Sequence, residues 1–213
     1  MPRQSMTRNS LLLASFAVIS TGIIAGTYLL TQDRIALEQR KAEEKALLEI
    51  VPRDRHDNVM LDDTLRVDAS TPGLGLGRTR QIYLAQLEGK VVTAIVPATT
   101  SEGYSGDINL IIGVNADGSI AGLRILSHRE TPGLGDKIDL KKSDWVLSFD
   151  GRSLGNPTEE NWSVKKDGGV FDQFTGATIT PRAVVAAVLK ALRYAEAEKD
   201  ALFAADRQDA GVE

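Results

Sequence analysis

The chain has 213 residues, 42% hydrophobic and 25% charged, the proportions of an ordinary globular protein rather than a disordered or fibrous one. The net charge is −4, but Arg3 and Arg8 are the only charges in the first 32 residues; the remainder, 23 basic against 29 acidic, carries −6 and offers nucleic acid no cationic surface. There are no cysteines, which excludes disulfides, thiolate catalysis and iron–sulfur clusters, and His56 and His128 alone make a histidine-rich metal site improbable.

Residues 9–32 form an uncharged run of 24, long enough as a helix for the roughly 30 Å core of a bilayer. No clean A-x-A cleavage site follows, so residues 1–32 read as an uncleaved anchor in the lipid bilayer. Ser20, Gly22 and Gly26 suggest one face that packs closely against neighbouring helices. Arg3 and Arg8 on one side nearly balance Arg34, Arg40 and Lys41 on the other, so charge counting does not set the topology. Residues 33–52 lack Gly and are rich in Ala, Leu, Glu, Lys and Arg; they read as a helical stalk ended by Pro52.

The main domain is placed at 53–205. Residues 81–100 show two β-rich runs around Glu88-Gly89. Residues 108–126 repeat the pattern around Asp117-Gly118, a dipeptide that favours a type I′ turn. Two successive hairpins argue for an antiparallel sheet. Residues 151–169 look like loop, and a helix follows from Pro181 to Lys199, with Val184, Val185, Val188, Leu189 and Leu192 on one stripe. Thr180 suits its N-cap and Pro181 its first position. Residues 206–213 read as a flexible tail. The fold class is α+β: an N-terminal transmembrane helix and stalk helix, then one domain with an antiparallel sheet and a packed C-terminal helix. The pentapeptide TPGLG occurs at 71–75 and 131–135 in unlike surroundings, and reads as coincidence rather than duplication.

The stretch 172–180, DQFTGATIT, combines three hydroxyls, a flexible glycine and the start of a helix. Free backbone N–H groups and the helix dipole suit such a place to a phosphate, and Gly176 and Ala177 let backbone approach the anion closely. An ordinary capped helix start accounts for the same residues.

The run Asp172-x-x-Thr175-Gly176-Ala177-Thr178 resembles the flavinylation motif D-x-x-[S/T]-G-A-T of the FMN-binding domains in two bacterial membrane complexes, Rnf and the Na⁺-translocating NADH:quinone reductase. SHRETPGLGDKI at 127–138, GYSGDINLIIGV at 103–114 and DGGVFDQFTGATITPRAVVAAV at 167–188 extend the resemblance, which is closest to the Rnf G subunits. The resemblance implies FMN bonded by a phosphoester to Thr178, transferred from FAD by a flavin transferase that recognises Asp172 and Thr175. It implies a redox subunit without independent catalysis, with neither catalytic residues nor a metal of its own. Such a subunit works among the other subunits of a bacterial inner-membrane complex that couples electron transfer between ferredoxin and NAD to ion translocation. The single span would leave the main domain on the periplasmic side. Within the 130–135 loop, Pro132 and Leu134 offer apolar contact to the flavin ring, Gly133 and Gly135 offer backbone N–H donors, and Glu130 and Thr131 suit its polar edge. His128, just before that loop, and Tyr104, in the 103–114 segment, read as either flavin partners or structural residues, while Trp145 and Trp162 read as core or loop anchors. The alternatives are the C subunit of the quinone reductase and, from another class, a membrane-tethered interaction domain without flavin.

Overall fold

The computed structural model describes residues 2–204, so the tail expected at 206–213 lies outside the described residues. Helix α1, Pro2–Leu48, joins anchor and stalk without a break. Residues up to Lys45 form one compact unit and Ala46 onward the other. In the first, Asn9–Ile35 is the one described helix segment long and apolar enough to cross a membrane. Its apolar side chains stand outward, with Leu13 and Ile24 70% and Leu30 84% exposed. The Thr27 and Thr31 hydroxyls donate to the carbonyls of Ile23 and Thr27, so these polar groups of the span are satisfied within it.

In the second unit five antiparallel strands follow one another in chain order: β1 (Thr64–Val67), β2 (Arg80–Leu87), β3 (Lys90–Thr100), β4 (Ile108–Asn115) and β5 (Ile120–Ser127). Both hairpins are present. The tighter turn is Glu88-Gly89, where both residues take positive φ, 53° and 74°, as a type I′ turn demands. The Asp117-Gly118 turn departs from the type I′ expectation: only Gly118 is left-handed, and Asn115 pairs with Ser119 across a longer loop. There the Asp117 carboxylate accepts from both the backbone and the hydroxyl of Ser119, which stabilises an ordinary turn instead. Pro97 lies in the central strand β3, just past Ile95, the last β3 residue that pairs with β2. A residue without an N–H is tolerated where the ladder has opened on one side.

One face of the sheet is covered by helix α2, Ile179–Ala197, through Val184, Val185, Val188 and Leu192, all at most 2% exposed. A short helix α3, Lys199–Phe203, follows. The opposite face receives the end of the stalk, where Leu47, Ile50 and Val51 are buried with Met60, Ala85, Ile95 and Ile111. Gly113 and Gly122 face each other across β4 and β5 and form the dent that admits Ile50: a Cβ on Gly113 would lie 2.4 Å from its Cγ2. Arg124 fastens the same point, donating to the Glu49 carbonyl at 2.7 Å. Between sheet and α2 runs a long connection of short 3-10 turns, whose Trp145, Phe149, Trp162 and Phe171 join Phe174 in an aromatic cluster. Trp145 and Trp162 are core anchors, as expected.

Candidate functional site

Phe171 and Phe174 are buried and pin the loop before α2 to the aromatic cluster, so the intervening Asp172 and Gln173 point to solvent. The Trp145 indole N–H donates to the Asp172 carbonyl at 2.8 Å from below. Next comes a tight turn: the Ala177 N–H donates to the Phe174 carbonyl, and Gly176 takes φ 82° at the third position, where a type II turn requires a left-handed residue. A Cβ on Gly176 would also meet Leu134 Cδ2 at 3.3 Å, so the turn closes against the 130–135 loop.

The turn delivers the chain into α2 two residues before the expected start. Thr178, not Thr180, is the N-cap, and its side chain makes no capping bond. Its hydroxyl is thus not engaged with the helix it precedes. Thr180 is absent from the cap because its hydroxyl, fully buried, donates to Glu130 Oε2. Pro181 falls in the first turn, where its missing N–H costs nothing.

Glu130 is 4% exposed and is the point where three segments meet. Besides Thr180, its carboxylate accepts from the backbone N–H of Ser105 at 2.9 Å and of Tyr104 at 3.3 Å. A buried carboxylate is tolerable when donors replace its hydration, and here two amides and a hydroxyl do so. Gly135 and Gly103 make room for it: a Cβ on either would come within about 3 Å of the carboxylate. His128 Nδ1 accepts from the Glu130 N–H at 3.1 Å, which gives His128 a structural role in the same junction.

Above this junction lies a cleft of about 300 Å³, at the small end of ligand sites. Its walls come from Tyr104, from Glu130, Thr131, Leu134 and Gly135, and from Gly176 through Thr180. Of the eleven residues of the 130–135 and 172–178 segments given a flavin role from the sequence, seven line it: Thr178, Gly176, Ala177, Glu130, Thr131, Leu134 and Gly135. Asp172, Thr175, Pro132 and Gly133 do not, and face solvent. Asp172 makes an ion pair with Lys165 at 2.6 Å. The Gly135 N–H expected to be free for a ligand is spent: with Leu134 N–H it donates to the Thr131 carbonyl, and Gly135 is buried. The expected ring-edge role of Glu130 likewise meets a carboxylate whose oxygens already hold three in-chain donors. Thr131 keeps its exposed side chain at the cleft.

Tyr104, open in the sequence between stacking and packing, is 68% exposed, so it is a wall of the cleft and not packing material. Ile179, which the sequence did not single out, is 46% exposed and continues the same apolar rim with Leu134 at 40%. One turn along α2, Arg182 forks onto Asp167, with Nε–Oδ2 2.6 Å and Nη2–Oδ1 2.7 Å. The guanidinium bonds hold the Asp167 carboxyl below its usual range.

The residues fit FMN: a hydroxyl that no helix cap uses sits beside a cleft with both apolar (Tyr104, Leu134, Ile179) and polar (Thr131) walls, with small residues where backbone must come close. Residues 103–193 match the family described as the FMN-binding domain, and residues 1–50 match the RnfG N-terminal region. The chain is similar to the G subunit of the ion-translocating oxidoreductase complex of Pseudomonas aeruginosa, 51% identical over 203 residues, 95% of this chain and 94% of the relative. The corresponding protein of Pseudoalteromonas atlantica is 47% identical over 206 residues, 97% of this chain and 95% of its own. That of Vibrio cholerae is 45% identical over 190 residues, 89% and 90% of the two chains.

Proposed function

We propose that this chain, which belongs to the family of G subunits of ion-translocating oxidoreductase complexes, carries FMN in phosphoester linkage to Thr178 and passes electrons within such a complex. The complex would couple electron transfer between ferredoxin and NAD to ion movement across the bacterial inner membrane. The chain would be anchored in the lipid by residues 9–35, with the flavin domain on the periplasmic side and other subunits as its electron partners. The observation that carries the reading is the position of Thr178: half-buried, uncommitted as a cap, and in the wall of the cleft formed with Leu134 and Tyr104.

In maturation Thr178 Oγ1 attacks the FMN-side phosphorus of FAD on a flavin transferase. The P–O–P bond breaks, AMP leaves with the electron pair, and the hydroxyl proton passes to a base of the transferase. The product is a phosphodiester with one negative charge. Asp172 and Thr175 are exposed within the same loop, where a second protein can read them. When bound, FMN supplies reversible electron transfer. The chain's own residues hold and orient it: Leu134 and Tyr104 offer apolar faces, Thr131 a polar contact, and the first turn of α2 its N–H groups and positive dipole end for the phosphate.

The test is intact mass of the denatured protein from a host that holds the transferase, beside Thr178→Val and Thr178→Ser. An increment of FMN less one water, absent in the valine variant and retained in the serine variant, supports the linkage and its residue together. An unmodified wild-type mass, with the transferase active on a control protein, refutes it and leaves a tethered domain without covalent flavin.

A further inference from the structure

We infer that Arg182, held in place by Asp167, is the countercharge that receives the phosphodiester on Thr178. The inference rests on the linkage proposed above and adds the residue that neutralises its charge.

A phosphate at a helix start ordinarily takes several first-turn donors. Here two of them are gone. Pro181 has no N–H, and the Thr180 hydroxyl is committed to Glu130. Arg182 stands four residues after Thr178, one turn along, and helical side chains lean back toward the N-terminus. Its guanidinium reaches Asp167, in a turn that is tied to the loop leading into Thr178. The fork onto Asp167 uses Nε and one N–H of Nη2. Three N–H groups remain, and a guanidinium with two edges can hold a carboxylate on one and a phosphate on the other.

Asp167 is itself fixed. It sits in a short turn, Lys165–Asp167, tied to the loop before α2 at two further points: Lys165 pairs with Asp172, and the Lys166 N–H donates to Gln173 Oε1. Gly169 packs so closely on Ser163 that a Cβ there would lie 1.9 Å from the Ser163 carbonyl oxygen, which leaves the turn little latitude. An exposed ion pair with no further task contributes little and needs no such scaffold. The pair is better understood as a cation positioned in advance.

The test is a cycle on the full-length chain in detergent: loaded and unloaded wild type against loaded and unloaded Arg182→Gln, with loading verified by mass. Urea unfolding is followed by the emission of Trp145 and Trp162, both buried in the domain. Loading is expected to raise the folding equilibrium constant about fivefold more in wild type than in Arg182→Gln, and added salt should shrink that excess. Asp167→Asn, which keeps the guanidinium but releases it, should fall between. An equal effect of loading in wild type and Arg182→Gln overturns the inference. Should Arg182→Gln fail to fold or load, Arg182→Met, which removes the charge and keeps an unbranched stem, and Asp167→Asn replace it, and wild-type behaviour of both overturns the inference equally. Wild type that gains no FMN refutes the linkage instead, a result the mass measurement gives separately.

Discussion

Thr180→Val removes the hydroxyl that ties α2 to Glu130 and little else, since valine has nearly the same shape. The lost bond is to a carboxylate that is 4% exposed, from a threonine that is 0% exposed, so water cannot replace it on either side. Hydrogen bonds to charged groups contribute about 1.5–3 kcal/mol net. Glu130 keeps its two backbone donors, and a methyl against Gly135, where a Cβ would already be 2.8 Å from Thr180 Oγ1, relieves nothing. The expected loss is about 2 kcal/mol, or about 4–8 °C in the melting temperature of a domain this size. Glu130→Gln should cost as much, because its amide turns one donor toward another donor. The double variant should then lose about 1.5 kcal/mol less than the sum of the two. Urea unfolding of the full-length chain with the tryptophans as reporters measures all four proteins. A Thr180→Val variant within about 0.5 kcal/mol of wild type, the range of an ordinary surface change, would refute the idea that this bond joins the helix start to the cleft wall.

Ile50→Ala empties the dent between Gly113 and Gly122 and should cost about 2–5 kcal/mol in the same unfolding measurement; Gly113→Val should be worse, because Ile50 already occupies its space. Asp167 gives a pH signature. Its folded pKa lies below the unfolded value, so the stability from its pair with Arg182 is complete above about pH 4 and disappears as pH falls through the lowered folded pKa. The stability gap between wild type and Asp167→Asn should therefore be flat from about pH 7 to about pH 4 and narrow below. A gap that widens in acid would contradict the assigned direction.

The elements that could be read from the sequence are those whose signals are local. The uncharged run at 9–32, the β-rich pairs around Glu88-Gly89 and Asp117-Gly118, and the apolar stripe of α2 each fall within one element or one hairpin, and each is present. What escaped depends on distant partners. Strand β1 is four residues in a polar stretch and exists because β2 gives it a ladder. The start of α2 moved from Pro181 to Ile179 because Thr180 found a buried acceptor fifty residues away in sequence. The two TPGLG copies make the point most sharply. Both turn through a left-handed first glycine, Gly73 and Gly133. Yet Leu74 is fully buried under the sheet's end while Leu134 is 40% exposed at the cleft. The pentapeptide specifies a turn; what covers the turn decides whether its leucine is core or cleft wall.

The shape of the cleft also bears on why a covalent linkage would serve here. A freely bound cofactor is retained by burial, and ligand sites commonly enclose most of the ligand surface. This cleft is small, and its apolar rim of Tyr104, Leu134 and Ile179 is open to solvent. Such a surface would hold a free flavin weakly. Attachment at Thr178 makes ring docking intramolecular, and a short tether supplies an effective concentration in the millimolar range, so weak contacts suffice. The same openness would leave an edge of a ring docked there within reach of a neighbouring redox centre. A linkage to Thr178 would therefore replace enclosure, and in doing so would separate two demands, retention and exposure, that a noncovalent pocket would have to compromise.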